Sequence, residues 1–274
     1  MSNEYAQKAP QPKDQTSVFI KRKRRFTAAF FAVGALFLIS ARTTDYNLAD
    51  GFKSVPKAAL WIAKNLAPNE KSWARLPNIL AKLSETGLVS VSVTVCAATC
   101  AFFFSLMGTR TTKVNPLIGR GVRIVAAFFR NVPDVVWAIL LLFSFGQNIL
   151  TGFLAMFFAT FGMLTRTFIE TIDEVSSFCV EALQATGATF LQTVFQGIIP
   201  SSMPAFISWV LYMIETNIRA ATLIGVLTGT GIGYLFDLYY KRMDYGAASL
   251  VVISIVVLVI VIEVSSNKIR KVIM

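Results

Sequence analysis

The 274-residue sequence contains no histidine, and its three cysteines, Cys96, Cys100 and Cys179, follow no metal-ligand or redox spacing. With neither in place, no catalytic triad and no metal cluster can be drawn from the chain. Cys96 and Cys100 lie one helical turn apart inside an apolar run, where cysteine serves as a small packing residue, and Cys179 belongs to a polar segment. A Walker-type phosphate loop is missing too. The run Gly229-Thr230-Gly231-Ile232-Gly233 lacks the lysine of such a loop and follows an apolar stretch rather than a strand, so it is expected to form a tight turn or re-entry. Any energy source must lie in another chain. Acidic residues are few, 15 against 26 lysines and arginines, which leaves a formal net charge of +11. Such an excess can mark nucleic-acid binding, but here the basic residues flank long apolar runs, where the positive-inside rule wants them. No nucleic-acid partner is inferred.

What the sequence has in abundance is apolar surface. Hydrophobic residues make up 55% of it and the mean hydropathy is +0.61, too apolar for a soluble domain of this length. The chain reads as an all-α integral membrane protein, with lipid as its surroundings. Residues 1–25 form a polar, basic tail ending in Lys21-Arg22-Lys23-Arg24-Arg25. Six spans are expected after it, at 26–41, 88–108, 122–145, 149–164, 203–227 and 247–264. A cleavable signal peptide is the rival reading of the first, disfavoured by the long region before it and by Ile39-Ser40-Ala41 as a cleavage site. Residues 42–85 are the one long stretch outside the membrane; Val55 to Leu66 and Trp73 to Leu83 have the periodicity of helices lying on the outer surface. Three short basic segments then fall on the inner side, with both termini.

Two pairs of charges fall at membrane depth. Arg130 and Asp134, bracketing Asn131-Val132-Pro133, are one turn apart, and so are Glu215 and Arg219, with Asn217 between them. Charges inside a bilayer are costly and usually face a bundle interior or a watery path, so Arg130, Asn131, Asp134, Glu215, Asn217, Arg219 and Thr228 become candidates for a substrate path. Each pair could also merely neutralise itself within its helix.

Between the fourth and fifth spans, residues 166–202 are polar. Within them, Glu181 to Pro200 reads as a helix, a turn at Gly187 and a second short helix halted by Pro200, with Ser176 and Ser177 available to cap the first helix. A polar elbow between spans is a docking surface for a partner outside the bilayer.

Glu181-Ala182-Leu183, Gly187 and Ile198-Ile199-Pro200 resemble the EAA motif of ABC importer permeases: Glu-Ala-Ala, three residues, Gly, nine residues, Ile-x-Leu-Pro. Two positions depart, with Leu183 in place of the second alanine and Gly197 in place of isoleucine. From about Trp73 onward the chain is similar to the phosphonate transport permease group, through Arg130 to Asp134, Glu181 to Ala188, Glu215 to Thr222, Gly225 and Gly231-Ile232-Gly233. Thr228 and Thr230 stand where that group has further glycines. The resemblance implies a type I (MetI-like) permease core over 88–274, preceded by an extra span and outer interfacial helices over 26–87. It further implies a homodimer of this subunit, two cytoplasmic ATPase subunits and a periplasmic phosphonate-type binding protein. No cofactor is expected on the chain itself, ATP and magnesium being used by the ATPases. Transport of phosphonate or a related phosphorus oxyanion would follow, with Glu181, Ala182, Leu183, Gly187 and Pro200 coupling to the ATPase. An ABC permease for another small solute is one alternative. A secondary transporter driven by an ion gradient is the other, although no inverted repeat with paired broken helices is evident.

Overall fold

A computed structural model describes residues 13–44, 48–110, 115–175 and 177–273. Among them every regular element is helical. The chain divides into two compact units, Met1–Lys64 and Asn65–Met274.

In the first unit, α1 (Lys13–Thr43) is longer than the apolar stretch that defines it, because the basic run Lys21 to Arg25 continues the same helix. Its portion Phe19–Thr43 is long and apolar enough to cross a bilayer. Asp50 opens α2 (Leu48–Asn65) and Lys64 closes it, each on the end of the helix dipole that favours its charge. Phe52, Val55, Ala59 and Ile62 recur at intervals of three and four residues along one side, opposite Lys53, Lys57 and Lys64.

The second unit is a helix bundle. The short α3 (Glu70–Trp73) is closed by a capping box between Asn69 and Ser72. The α4 helix (Leu76–Gly108) then restarts the chain with Pro77 in its first turn, where a missing N–H costs nothing. The surface helix expected over Trp73 to Leu83 is thus split, and the second span, expected from Leu88, belongs to a helix about 50 Å long that begins a dozen residues earlier. Next come α5 (Pro116–Asn131) and α6 (Asp134–Phe145), which meet at a bend of 88°. Val132, held extended at ψ 118° by the proline that follows it, makes that break. After them run α7 (Ile149–Val175) and α8 (Ser177–Ala185), then α9 (Phe190–Gln192), a π-helical turn over Thr193–Ile198 and α10 (Ile199–Thr228). The chain closes with α11 (Gly231–Lys241) and α12 (Tyr245–Ile273). Five helical stretches are long and apolar enough to span a membrane, and the bent α5–α6 pair supplies a sixth if it is counted as one span.

Two expectations about helix ends are corrected here. Pro200 does not halt a helix; it sits in the first turn of α10, which continues the helical path from Phe190. Proline has no N–H to donate and its ring crowds the carbonyl four residues back, so the turn before it widens and Ile199 N donates to Val194 O, five residues back. The glycine-rich stretch after Thr228 is not only a turn. Gly229 ends α10 in the left-handed region at φ 69°, and Gly231 to Lys241 wind into α11. A Cβ on Gly233 would lie 2.0 Å from Thr222 O, so α10 and α11 touch backbone to backbone.

The core follows the same logic of close approach. Leu164, Phe168 and Ile172 of α7, Val180 of α8, Val194 and Ile198 of the π turn, and Phe206 and Met213 of α10 form one buried cluster. Gly162 lets α7 meet α5, since a Cβ there would lie 2.5 Å from Arg130 N. At the far end of the bundle Arg75 pairs with Asp244 and lies 4.9 Å over the Tyr239 ring, joining the α3–α4 corner to the α11–α12 turn. On α12, Val252, Ile253, Val256, Val257, Ile260 and Val261 face outward, as a bilayer-embedded helix requires.

Candidate functional site: an elbow on a three-helix pin

The elbow begins where α7 ends. Gly187, at φ 81°, occupies the left-handed position expected of it, and Ala188 N donates to Leu183 O at 3.1 Å across the turn, which closes α8 as a Schellman motif does. The Thr186 hydroxyl donates to the same carbonyl at 2.8 Å. Thr189 and Gln192 form a capping box that starts α9. Ser176 lies outside the described residues, so its expected capping role has no structural counterpart to report.

The elbow has two faces. Val180, 1% exposed, sinks into the same buried cluster as Leu164, Phe168 and Phe206, which ties α8 to α7 and α10. On the other side Phe178 (82% exposed), Leu191 and Phe195 stand free beside the exposed Glu181 and Ala182. Apolar side chains projecting from a polar segment mark a surface built to be covered. Leu183 joins the two halves of the elbow: a Cβ on Gly197 would lie 2.8 Å from Leu183 Cδ1. The two departures from the motif pattern are therefore one packing exchange, a larger residue at 183 seated over a smaller one at 197.

Sequence reasoning passed over what holds the start of the elbow. In the structure Asp173 Oδ1 accepts from Arg110 N at 2.8 Å and from the Thr109 hydroxyl, and Oδ2 accepts from Arg123 Nη2 at 3.1 Å. Arg123 Nε also donates to Gly108 O at 2.9 Å. One carboxylate thus binds the C-terminal end of α4 and the first half of α5 to the last turn of α7. Its distant partners, 50 to 64 residues away in sequence, leave no local signal.

The path candidates separate into three kinds. Asn217 is 4% exposed and bonded at both polar atoms: its Nδ2 donates to Thr94 Oγ1 at 2.8 Å, and its Oδ1 accepts from Thr160 Oγ1 at 3.1 Å. Ser90 donates to the Asn217 backbone carbonyl at 3.4 Å. The residue therefore pins α4, α7 and α10 together, with both polar atoms of its amide turned to framework threonines. Thr228 is likewise buried, donating to Ile224 O at 2.9 Å and lying 2.9 Å from the Thr230 hydroxyl, so this pair of threonines closes on itself. Thr86 of α4 accepts from Ile232 N at 2.9 Å and caps the start of α11.

Glu215 and Arg219 come together as expected, at 3.1 Å, with the Arg219 side chain 53% exposed and that of Glu215 13% exposed. Arg130 and Asp134 do not. The break at Val132-Pro133 places them on different helices, and among the described residues no ion pair joins them. Instead Arg130 ends α5 and Asp134 begins α6, each favoured by its own helix dipole. Asp134 Oδ1 accepts from Val135 N at 3.0 Å, and Arg130 and Asn131 are exposed.

An all-helical bundle with a broken span, long apolar helices and an exposed elbow between two of them defines a membrane transport subunit. Residues 101–273 match the family described as binding-protein-dependent transport system inner membrane component, and the chain belongs to that family. It is 28% identical over 201 residues to the phosphite transport system permease protein PtxC of Stutzerimonas stutzeri, covering 73% of this chain and 71% of that protein. It is 27% identical over 190 residues to the phosphate-import permease protein PhnE of Mycolicibacterium smegmatis, covering 69% of this chain and 36% of that protein. Among solved structures, the MetNI methionine ABC transporter in an inward-facing conformation shares the fold, with a TM-score of 0.60 at 16% identity over 72% of this chain and 98% of that one. The chain is thus the multi-pass permease subunit of an ABC importer.

Proposed function

We propose that this subunit carries phosphite, phosphate or a phosphonate inward, as part of a homodimer served by two cytoplasmic ATPase subunits and a periplasmic binding protein. The elbow carries this reading: an inner face locked into the core through Val180 and an outer face of Phe178, Glu181 and Phe195 left open to a partner. Movement of the ATPases would enter through α8 and leave through α10. The chain itself performs no covalent chemistry and holds no cofactor; ATP and magnesium act in the ATPases.

Arg219 and Arg130, both exposed on the isolated chain, offset the charge of the anion, and Glu215 holds Arg219 in place between passages. Asn217 and Thr228, expected to donate hydrogen bonds to the solute, are assigned to the framework instead, since their side-chain groups are already bonded. Both termini and the elbow face the cytoplasm, and α2 lies along the outer surface with Lys53, Lys57 and Lys64 toward water. The relatives named for phosphite and phosphate transport favour a phosphorus oxyanion over another small solute.

Proteoliposomes holding the subunit with its ATPase and binding protein should accumulate labelled phosphite when ATP is present. Accumulation that persists without the ATPase would overturn this reading in favour of an ion-gradient transporter, and uptake of an unrelated solute in its place would change the substrate class. Reporter fusions after Glu174 and at the C-terminus are expected to read cytoplasm. An external reading after Glu174 would remove the elbow from reach of the ATPases.

A further inference from the structure

Beside the elbow, the C-terminal turn of α4 and the first turns of α5 wall a cavity of about 620 Å³. Arg110, Arg120 and Arg123 line it, with Gly108, Thr109 and Asn115, and no acidic residue stands among the lining side chains. Its frame is fixed from behind. Asp173 holds Arg123 and the backbone of Arg110, and Arg123 in turn donates to Gly108 O at the end of α4. Arg123 is spent on that frame. Arg110 and Arg120 are exposed, and neither guanidinium makes an ion pair among the described residues. The N-terminal end of α5, where Asn115 caps Leu117 N at 2.8 Å, adds the positive end of a 16-residue helix to the same space.

Two planar donor forks with no acidic partner among the described residues, held beside an immobilised third, suit a group with several anionic oxygens spread around one atom. We propose that this cavity binds a phosphate group, carried by an anionic phospholipid headgroup or present as free phosphate. Carboxylates fit less well, because a single planar acid satisfies one fork and leaves the other unpaired. Bound here, the phosphate bridges Arg110, at the end of α4, to Arg120, on α5, and so stiffens the junction that Asp173 links to the elbow. Which leaflet would supply a lipid follows from the proposed orientation; binding in detergent does not depend on it.

The test uses the full chain purified and stripped of lipid in detergent, with the thermal midpoint followed against two probes. One is inorganic phosphate, and the other is phosphatidylglycerol in mixed micelles, with phosphatidylcholine, whose phosphate is neutralised by its own choline cation, as the zwitterionic control. The wild-type midpoint should rise with at least one probe and not with phosphatidylcholine. In Arg110→Gln/Arg120→Gln, whose changed residues are exposed and bear on no core contact, the concentration for half the effect should increase about a hundredfold, about tenfold for each lost fork. A response to phosphatidylglycerol alone identifies the headgroup as the ligand, and a response to inorganic phosphate identifies the free anion. Arg120→Lys, which keeps the charge but not the fork, should weaken the response about tenfold. Equal responses in wild type and the double variant, no wild-type response to either probe, or a full response in Arg120→Lys would each overturn the site, the last in favour of diffuse surface charge.

Discussion

Replacing Arg219 with glutamine should lower uptake of labelled phosphite about ten- to a hundredfold while leaving the yield of intact complex unchanged, since a charge-assisted contact is worth roughly 1.5–3 kcal/mol. The direction follows from exposure. Arg219 is half outside the chain's own packing and pairs only along its helix with Glu215, so its loss opens no cavity in the bundle. Glu215→Gln should do less, because it leaves the cation in place and removes only its tether. Should Arg219→Gln lower yield while uptake per complex stayed normal, the pair would be a structural feature of α10 and the anion path would have to be sought elsewhere.

The second large effect concerns the elbow's internal fit. Gly197→Ile should drive a branched side chain into Leu183 and lower the thermal midpoint of the purified chain sharply, in line with the roughly 1–3 kcal/mol that overpacking costs. Leu183→Ala alone should also destabilise, by leaving the space over Gly197 unfilled. Combined, the two changes restore the residue sizes of the motif pattern, and the double variant should be more stable than Gly197→Ile alone, with a coupling of about 0.5–3 kcal/mol. Additive losses in thermal scans of the four proteins would show that the two sites do not pack on one another. Co-purification with the ATPase, measured on the same set, should follow stability, since neither side chain faces the open side of the elbow.

The comparison of Pro133 with Pro200 shows why some of this was legible in the sequence and some was not. Both prolines interrupt apolar, helix-forming sequence. Pro133 follows a valine that turns extended, and the chain bends by 88°; Pro200 follows a turn that widens by one residue, and the chain runs on. The local rule that a helix cannot pass a proline undisturbed holds at both, but which disturbance results depends on what packs alongside. The same dependence separates the two charge pairs. Spacing alone brought Glu215 to Arg219, because nothing breaks the helix between them, whereas Arg130 and Asp134 were paired on paper across a residue that cannot stay helical before proline. Gly187 was legible because its requirement is purely local, a positive φ after a helix end. Asn217 was found as a polar residue at depth but its bonds were not, since its partners Thr94 and Thr160 lie on helices whose facing sides no spacing rule specifies. Asp173 was invisible for the same reason, its bonds being made across 50 to 64 residues of sequence.

The pin at Asn217 also sets what kind of machine this can be. With α4, α7 and α10 bonded through one buried amide, and with Val180 of the elbow set in the core that α7 and α10 share, the unit behaves as a lever with its handle outside the bilayer. Pro200 and Arg219 lie at opposite parts of one helix, about 28 Å apart at the usual rise per residue. A push on the handle would travel to Arg219 along one continuous helix, past Pro204, where a backbone hydrogen bond is missing. The compliance that alternating access demands can then enter at Pro204, at the bent joint of α5 and α6, or between whole subunits.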